Sequence, residues 1–252
     1  MCKYSPVGIL DSGVGGISVL KHIRKILPSE NIIYFADKEN APYGTKKTDE
    51  IIKLTDQSID FLTDFRCKAI VIACNTATSA AADILRRKYK LPIIGLEPAL
   101  KPAVKKYPSG KILLLATPAT VSLPKLRRLV NGLNKNDVVC IAAPKLVEFI
   151  EHGQIYSREM VDYLKILFAE YKSLKFDACV LGCTHFPFAK KAITEALGYQ
   201  PEFFDGGLGA ARHLFCILDN RNLLNPAGQS GYMVWNNRYE NDLVRRLMNI
   251  NI

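Results

Sequence analysis

Residues 70–78 read Ile-Val-Ile-Ala-Cys-Asn-Thr-Ala-Thr, and residues 178–186 read Ala-Cys-Val-Leu-Gly-Cys-Thr-His-Phe. In both runs an apolar segment of strand length leads into a cysteine, small polar residues and a helix-like stretch. A strand that passes into a helix through a short turn is the repeating unit of parallel α/β proteins. Because one such unit lies in each half of the chain, the sequence indicates a weak internal duplication.

The same alternation of apolar runs and amphipathic stretches continues along the chain. Because near-continuous apolar strands are typical of sheets that helices cover on both faces, we predict parallel sheets. The predicted strands are Val7–Leu10, Ile32–Ala36, Ala69–Ala73, Pro92–Gly95, Ile112–Ala116, Val138–Ala142 and Ala178–Leu181. The predicted helices are Ile17–Leu27, Thr48–Phe65, Ala77–Tyr89, Pro124–Asn131, Arg158–Tyr171 and Phe188–Leu197.

These elements predict an α/β fold of two similar lobes, each a mainly parallel sheet flanked by helices. The proline-rich segment 97–102 is a plausible crossover between the lobes, and the segment 204–207 is a plausible return. We therefore assign residues 1–97 plus 208–252 to the first lobe and residues 98–207 to the second. Ligands of parallel sheets bind beyond the carboxyl ends of the strands, where both cysteines fall. The active site is thus expected in the cleft between the lobes.

Composition limits the partners and the compartment. The net charge of +10 comes partly from basic clusters on predicted helices, which are typical of solvated faces. No continuous basic stripe with stacking aromatics is present, so no nucleic-acid partner is expected. The apolar runs are too short to span a bilayer, and residues 1–6 lack a signal-peptide pattern. Seven cysteines without tight spacing favour a reducing, cytoplasmic location. The oligomeric state is left open, with a homodimer as one alternative.

Cys74 and Cys183 are the strongest candidates for chemistry. Either cysteine alone would more often be a buried structural residue, but two in matching contexts favour a pair of acid/base groups facing one substrate. A helix N-terminus is expected to lower the pKa of a thiol there. The sequence has no paired Cys or His ligands at metal-binding spacing, so no metal is expected. No pyridoxal-binding lysine pattern is evident, so no other cofactor is expected either.

A glycine-rich turn, Asp11-Ser-Gly-Val-Gly-Gly16, follows the first predicted strand. Its spacing fits neither a dinucleotide fingerprint nor a P-loop, but its amides could hold a carboxylate. A tight structural turn is the simpler reading. Asp11 could orient an ammonium group or tune a thiol, or it could serve only as a cap.

Three weaker signals come from one short segment and two single residues. The segment Pro42-Tyr43-Gly44 predicts a turn just past a strand, although an ordinary loop would read similarly. His185 lies two residues after Cys183 and could act on the thiol, although a lone histidine is more often structural. Glu151, at a predicted helix end, could be its acid partner or a surface charge.

Together these residues resemble the glutamate racemases, cofactor-independent enzymes of the aspartate/glutamate racemase family. The matching segments are Asp11–Gly16, Pro42–Gly44, Cys74–Ala77, Glu97–Pro98 and Leu181–Pro187, in the family's order over almost the whole chain. The resemblance implies racemisation of glutamate for peptidoglycan synthesis. It also implies substrate contacts by Asp11, Ser12, Pro42, Tyr43, Gly44, Asn75, Thr76, Thr184 and His185.

The resemblance further implies a division of labour between the cysteines. Cys74, assisted by Asp11, would act on the D-isomer, and Cys183, assisted by His185 and Glu151, would act on the L-isomer. The chain departs from the family pattern at Lys38–Asn40, Glu148 and Gly206.

The alternatives are a racemase of another acidic amino acid such as aspartate, a hydantoin racemase, or a non-catalytic binding protein on the same fold. Aspartate racemases resemble this chain less, since they carry a histidine at the position of Thr78 and a glutamate at that of His185.

Overall fold

A computed structural model describes residues 2–122, 124–132, 137–226, 230–236 and 241–252. The strands in these ranges are β1 (Val7–Asp11), β2 (Ile32–Ala36), β3 (Ala69–Ile72), β4 (Ile93–Gly95), β5 (Ile112–Ala116), β6 (Val138–Ala142), β7 (Ala178–Leu181), β8 (Glu202–Asp205) and β9 (Tyr232–Asn236).

Helices connect and cover these strands. They are α1 (Ile17–Ile26), α2 (Thr48–Asp64), α3 (Asn75–Lys88), α4 (Leu100–Lys106), α5 (Pro118–Ser122), α6 (Pro124–Asn131), α7 (Pro144–Glu151), α8 (Arg158–Leu167), α9 (Lys190–Leu197), α10 (Gly207–Asn220) and α11 (Asn241–Asn249). Short 3-10 turns occupy Lys38–Asn40, Tyr43–Thr45, Ala169–Tyr171 and Phe186–Ala189. Every helix in the described ranges is too short or too polar to cross a lipid bilayer.

The strands form two parallel sheets, as the apolar runs predicted. The first sheet has the order β4-β3-β1-β2-β9, and the second has the order β6-β5-β7-β8. All neighbouring strands pair in parallel. The predicted fold class is therefore confirmed.

Side chains alternate between the faces of each sheet, which is the period-two pattern of a strand. On β3, Val71 packs into one apolar cluster while Ile70 and Ile72 pack into another on the opposite face. On β5, Leu113 and Leu115 join the cluster that contains Val71. The two sheets thus share one continuous core.

All seven strands predicted from the sequence are present, but several helix ends differ. The helix predicted from Ala77 begins at Asn75, because Cys74 serves as its N-cap. The helix predicted to reach Tyr171 ends at Leu167 and continues as a 3-10 turn. The segment 204–207, predicted as a return, begins with the last two residues of strand β8.

The chain leaves and re-enters the first sheet at one place. A side chain at Gly206 would collide with the carbonyl oxygen of Glu97, so the outgoing and returning segments touch there. After Gly206, α10 packs against α1, and β9 pairs with β2. The division into residues 1–97 plus 208–252 and residues 98–207 follows this path and stays a prediction.

Candidate active site

The two cysteines of the matching runs lie at one cavity. Cys74 follows β3 and caps α3, whereas Cys183 is separated from β7 only by Gly182. Both side chains line the cavity and are buried, with 6% and 7% of their surfaces exposed. The carboxyl ends of strands from two different sheets therefore bring two thiols to one enclosed space.

Cys74 is held in its protonated form by its surroundings. Its Sγ accepts a hydrogen bond from the Ala77 amide at 3.5 Å and lies 3.8 Å from Oγ of Ser12. Burial raises the pKa of Cys74 far above its ordinary value, and the Asp11 carboxylate raises it further. The helix N-terminus was expected to lower this pKa. Its amide does act in that direction, but the loss of solvation is the larger effect.

Asp11 is the last residue of β1, and its charge acts on the Cys74 thiol. Its Oδ2 accepts hydrogen bonds from the Gly16 amide at 2.6 Å and from Oγ1 of Thr184 at 3.3 Å. Within the described residues, its buried Oδ1 has no hydrogen-bond partner. Burial raises the pKa of Asp11 to about 6, although the nearby His185 opposes the shift. A carboxyl group with this pKa can hold or release a proton near neutral pH.

Cys183 has a different acid/base partner. Its Sγ lies 3.6 Å from Nδ1 of His185, and Nε2 of His185 lies 2.5 Å from Oε1 of Glu151. Burial alone would lower the pKa of His185, but the contacts with Cys183 and Glu151 outweigh it and raise that pKa well above its ordinary value. The three side chains form a chain along which a proton can move.

Glu151, the last residue of α7, connects elements of both sheets. Its Oε1 accepts a hydrogen bond from the Val14 amide at 3.0 Å, and its Oε2 lies 2.9 Å from Nζ of Lys38. Val14 and Lys38 follow β1 and β2 of the first sheet, whereas Glu151 and His185 belong to the segments around the second. Sequence reasoning noted Lys38 only as a departure from a family pattern.

The glycine-rich turn is explained by how closely it approaches these side chains. A Cβ atom at Gly13 would collide with Oε1 of Glu151, and one at Gly15 would collide with Nδ1 of His185. The turn is therefore part of the wall around the His185–Glu151 pair.

The remaining predicted contact residues line the same cavity. They are Ser12, Pro42, Tyr43, Gly44, Asn75, Thr76 and Thr184. The Tyr43 hydroxyl donates to Oδ2 of Asp37 at 2.6 Å, and burial raises the pKa of Tyr43 far above its ordinary value. Asn75 has a buried Oδ1 with no hydrogen-bond partner within the described residues, so this oxygen can accept a hydrogen bond from a ligand.

Sequence reasoning missed two threonines. Oγ1 of Thr76 lies 3.0 Å from Oγ1 of Thr117 and 3.2 Å from that of Thr120, and Thr117 also lines the cavity. Thr117 follows β5 directly, just as Cys74 follows the β3 segment. Its position at the carboxyl end of a predicted strand is the signal that could have identified it.

The cavity is closed around these residues. Its volume is about 20 Å³, which is about the space that one water molecule needs. An amino acid can enter only if the surrounding segments separate. Among the described residues, no group of three or more His, Cys, Asp or Glu side chains is placed to hold a metal ion.

Comparison with known proteins identifies similar chains. The family model described as "Asp/Glu/Hydantoin racemase" matches residues 9–214. A glutamate racemase from Clostridium botulinum (strain Alaska E43 / Type E3) is 46% identical, and the alignment covers 91% of this chain and 90% of the relative.

Two solved structures are similar along nearly the whole chain. A glutamate racemase isoform from Bacillus anthracis superimposes with a TM-score of 0.87 at 28% identity, covering 99% of this chain and 96% of that one. The glutamate racemase from Francisella tularensis in complex with D-glutamate superimposes with a TM-score of 0.84, at the same identity and coverage.

Proposed function

The chain belongs to the Asp/Glu/hydantoin racemase family and is a racemase, that is, an isomerase; we propose that it interconverts L- and D-glutamate with two cysteines and no cofactor. The single observation that carries this proposal is the pairing of Cys74 and Cys183 at one closed cavity, each beside its own acid/base group. The names of the relatives support glutamate as the substrate.

In the proposed reaction, each turnover uses both thiols. The thiolate of one cysteine removes the α-proton, and the thiol of the other delivers a proton to the opposite face of the α-carbon. One proton leaves and one arrives, so the product is the mirror image of the substrate. The cysteines exchange roles in the reverse direction.

The two thiols differ in how their protons are managed. On one side, the buried Cys74 holds its proton tightly and experiences the charge of Asp11. On the other, Cys183 can exchange a proton with His185, whose positive charge is balanced by Glu151. By family resemblance, Cys183 would act on L-glutamate and Cys74 on D-glutamate.

Removal of the α-proton leaves negative charge that the site must stabilise. We assign this role to the Asn75 amide, the hydroxyls of Thr76 and Thr184, and backbone amides near the α-carboxylate. Donors that are fixed before the reaction stabilise developing charge most effectively where water is excluded. The cavity of about 20 Å³ supports a closed state of this kind.

Two positions bear on whether the substrate is glutamate or aspartate. His185 contacts both Cys183 and Glu151. Aspartate racemases have a glutamate residue at this position, and its side chain would place a carboxylate beside the thiol. Oγ1 of Thr78 donates to the Ile72 carbonyl and accepts from the Leu96 amide. This threonine is thus occupied in joining β3 to the segment after β4.

The D-glutamate formed would supply peptidoglycan synthesis in the cytoplasm. A homodimer is one alternative for the active assembly.

The direct test follows the circular dichroism of L-glutamate and L-aspartate with purified protein that has been dialysed against a chelator. We expect glutamate to racemise fastest, without added metal or pyridoxal phosphate. Activity that returned only with such an addition, or that favoured aspartate, would contradict the proposal.

A further inference from the structure

We propose that Lys38 is a positioning residue for the Cys183 side of the site, acting through Glu151 and His185. The inference rests on the proposed function, because it assigns Lys38 a part in that same reaction. The two oxygens of the Glu151 carboxylate contact different partners. Oε2 forms an ion pair with Nζ of Lys38 at 2.9 Å. Oε1 lies 2.5 Å from Nε2 of His185 and accepts a hydrogen bond from the Val14 amide at 3.0 Å.

The burial of Glu151 makes the pairing consequential. Its side chain is only 6% exposed, and a buried carboxylate is costly unless charged and polar groups compensate it. The Lys38 side chain is 26% exposed, so water screens part of its charge. Lys38 therefore helps to keep Glu151 ionised and reduces the negative potential that His185 experiences.

The contact also crosses between the two sheets. Lys38 lies on the 3-10 turn after β2, in the first sheet, whereas Glu151 ends α7 beside the second. Because the cavity must open to admit an amino acid, a separation of these segments would break the Lys38–Glu151 pair. Closure would restore the pair and, with it, the orientation of His185 toward Cys183.

The opposite thiol is organised by other residues. Asp11 is held by the Gly16 amide and by Thr184, and Cys74 by the Ala77 amide. Loss of the Lys38 charge should thus impair proton transfer at Cys183 more than at Cys74.

Racemisation rates cannot isolate one thiol. The enantiomers have equal free energies in water, so kcat/KM must stay equal in the two directions for every variant. Elimination of hydrogen chloride from 3-chloroglutamate avoids this constraint. One thiolate takes the α-proton, a Cα–Cβ double bond forms, and chloride leaves with the electron pair of the broken C–Cl bond.

The test compares the parent with Lys38→Met, Lys38→Gln and Lys38→Arg. We expect both neutral variants to slow elimination from the enantiomer that Cys183 serves by about tenfold, and from the other by no more than about twofold. Lys38→Arg should restore the parent ratio. Lys46→Met is the matched control, because Lys46 is 22% exposed and also pairs with a glutamate, Glu50, outside the cavity.

The pH profile gives a second readout. Cys183, Glu151 and Asp11 face His185, and Lys38 acts on it through Glu151. Without the Lys38 cation, the negative charge of Glu151 acts more strongly on His185 and raises the pKa of His185 further. The rise of Cys183-dependent elimination with pH should therefore move to higher pH in Lys38→Met and return in Lys38→Arg.

A double-variant experiment tests the route through Glu151. In Glu151→Gln protein, adding Lys38→Met should slow the same elimination by no more than about twofold, because coupled residues are not additive. Equal slowing of both enantiomers, unchanged pH profiles, or full additivity would each overturn the role of Lys38. A parent protein that fails to racemise glutamate would instead refute the proposed function itself.

Discussion

His185 and Glu151 form a buried pair in which Nε2 lies 2.5 Å from Oε1, and both side chains are almost fully enclosed. The pair joins a residue just after β7 to the end of α7. Together with the contact to Cys183, the pair explains why a buried histidine can carry a positive charge, since both contacts compensate the desolvation that would otherwise lower the pKa of His185.

The pair predicts the effect of Glu151→Gln. Removal of the negative charge should lower the pKa of His185 and reduce kcat/KM by about 10- to 100-fold, as expected for a charged hydrogen bond. The chain has only four histidines, so NMR titration of their ring protons can follow His185 directly. An unchanged His185 titration in the variant would contradict this account.

The same raised pKa affects stability. The protonated histidine stabilises the folded state below the ordinary histidine pKa of 6.5, and this contribution is lost as the pH rises through the folded-state value. Glu151→Gln should reduce that pH dependence of unfolding.

Replacement of the thiols separates their roles. Cys74→Ser and Cys183→Ser should each abolish racemisation in both directions, because a hydroxyl is a much weaker acid than a thiol and every turnover of the proposed reaction uses both groups. Each variant should still eliminate hydrogen chloride from the 3-chloroglutamate enantiomer that faces its intact thiol. This is the L-isomer for Cys74→Ser and the D-isomer for Cys183→Ser. A single variant that racemised near the parent rate would show that its cysteine is structural.

Asp11 should be a site where function lowers stability. Its pKa is raised from 3.8 to about 6, so the folded state binds more protons than the unfolded state between these values. Stability should therefore fall as the pH rises through this window, by about 3 kcal/mol at 1.36 kcal/mol per unit. Asp11→Asn keeps an acceptor for the Gly16 amide and should raise the free energy of unfolding at pH 7 while lowering activity. Urea unfolding at pH 4 and pH 7 measures the difference, and no gain at pH 7 would contradict it.

Gly13 tests the close packing around Glu151. A methyl group there would collide with Oε1, so Gly13→Ala should displace the carboxylate and reduce activity more than tenfold. A tenfold loss corresponds to an activation free energy that is higher by about 1.4 kcal/mol. Gly209→Ala, on the exposed face of α10, is the control because nothing lies within 4 Å of the added group. That change should keep activity and stabilise the protein by up to about 1 kcal/mol, as alanine favours a helix over glycine. Equal activity of the two variants would refute the steric argument.

The strands that the sequence predicted carry short apolar runs, and they include the edge strands β4 and β6. The strands it did not predict lie at sheet edges. All four residues of β8 are half-buried, and β9 exposes Tyr232, Met233 and Trp235. Strand β8 has a charged residue at each end and only two apolar residues between them, so it shows neither a long apolar run nor a clean alternation. Its identity as a strand depends on the neighbour that it pairs with.

The sequence by itself determined the α/β class, the parallel order of strand and helix, and the placement of two cysteines at strand ends. These features follow from local patterns, since periodicity and turn residues act over a few positions. Only the tertiary structure decided that Lys38 meets Glu151, 113 residues away, and that Thr76 meets Thr117. It also decided the protonation state of Cys74. The helix terminus alone would have lowered the pKa of this thiol, whereas burial raises it. Desolvation and through-space charge depend on every group that surrounds a side chain, and those groups come from distant parts of the chain.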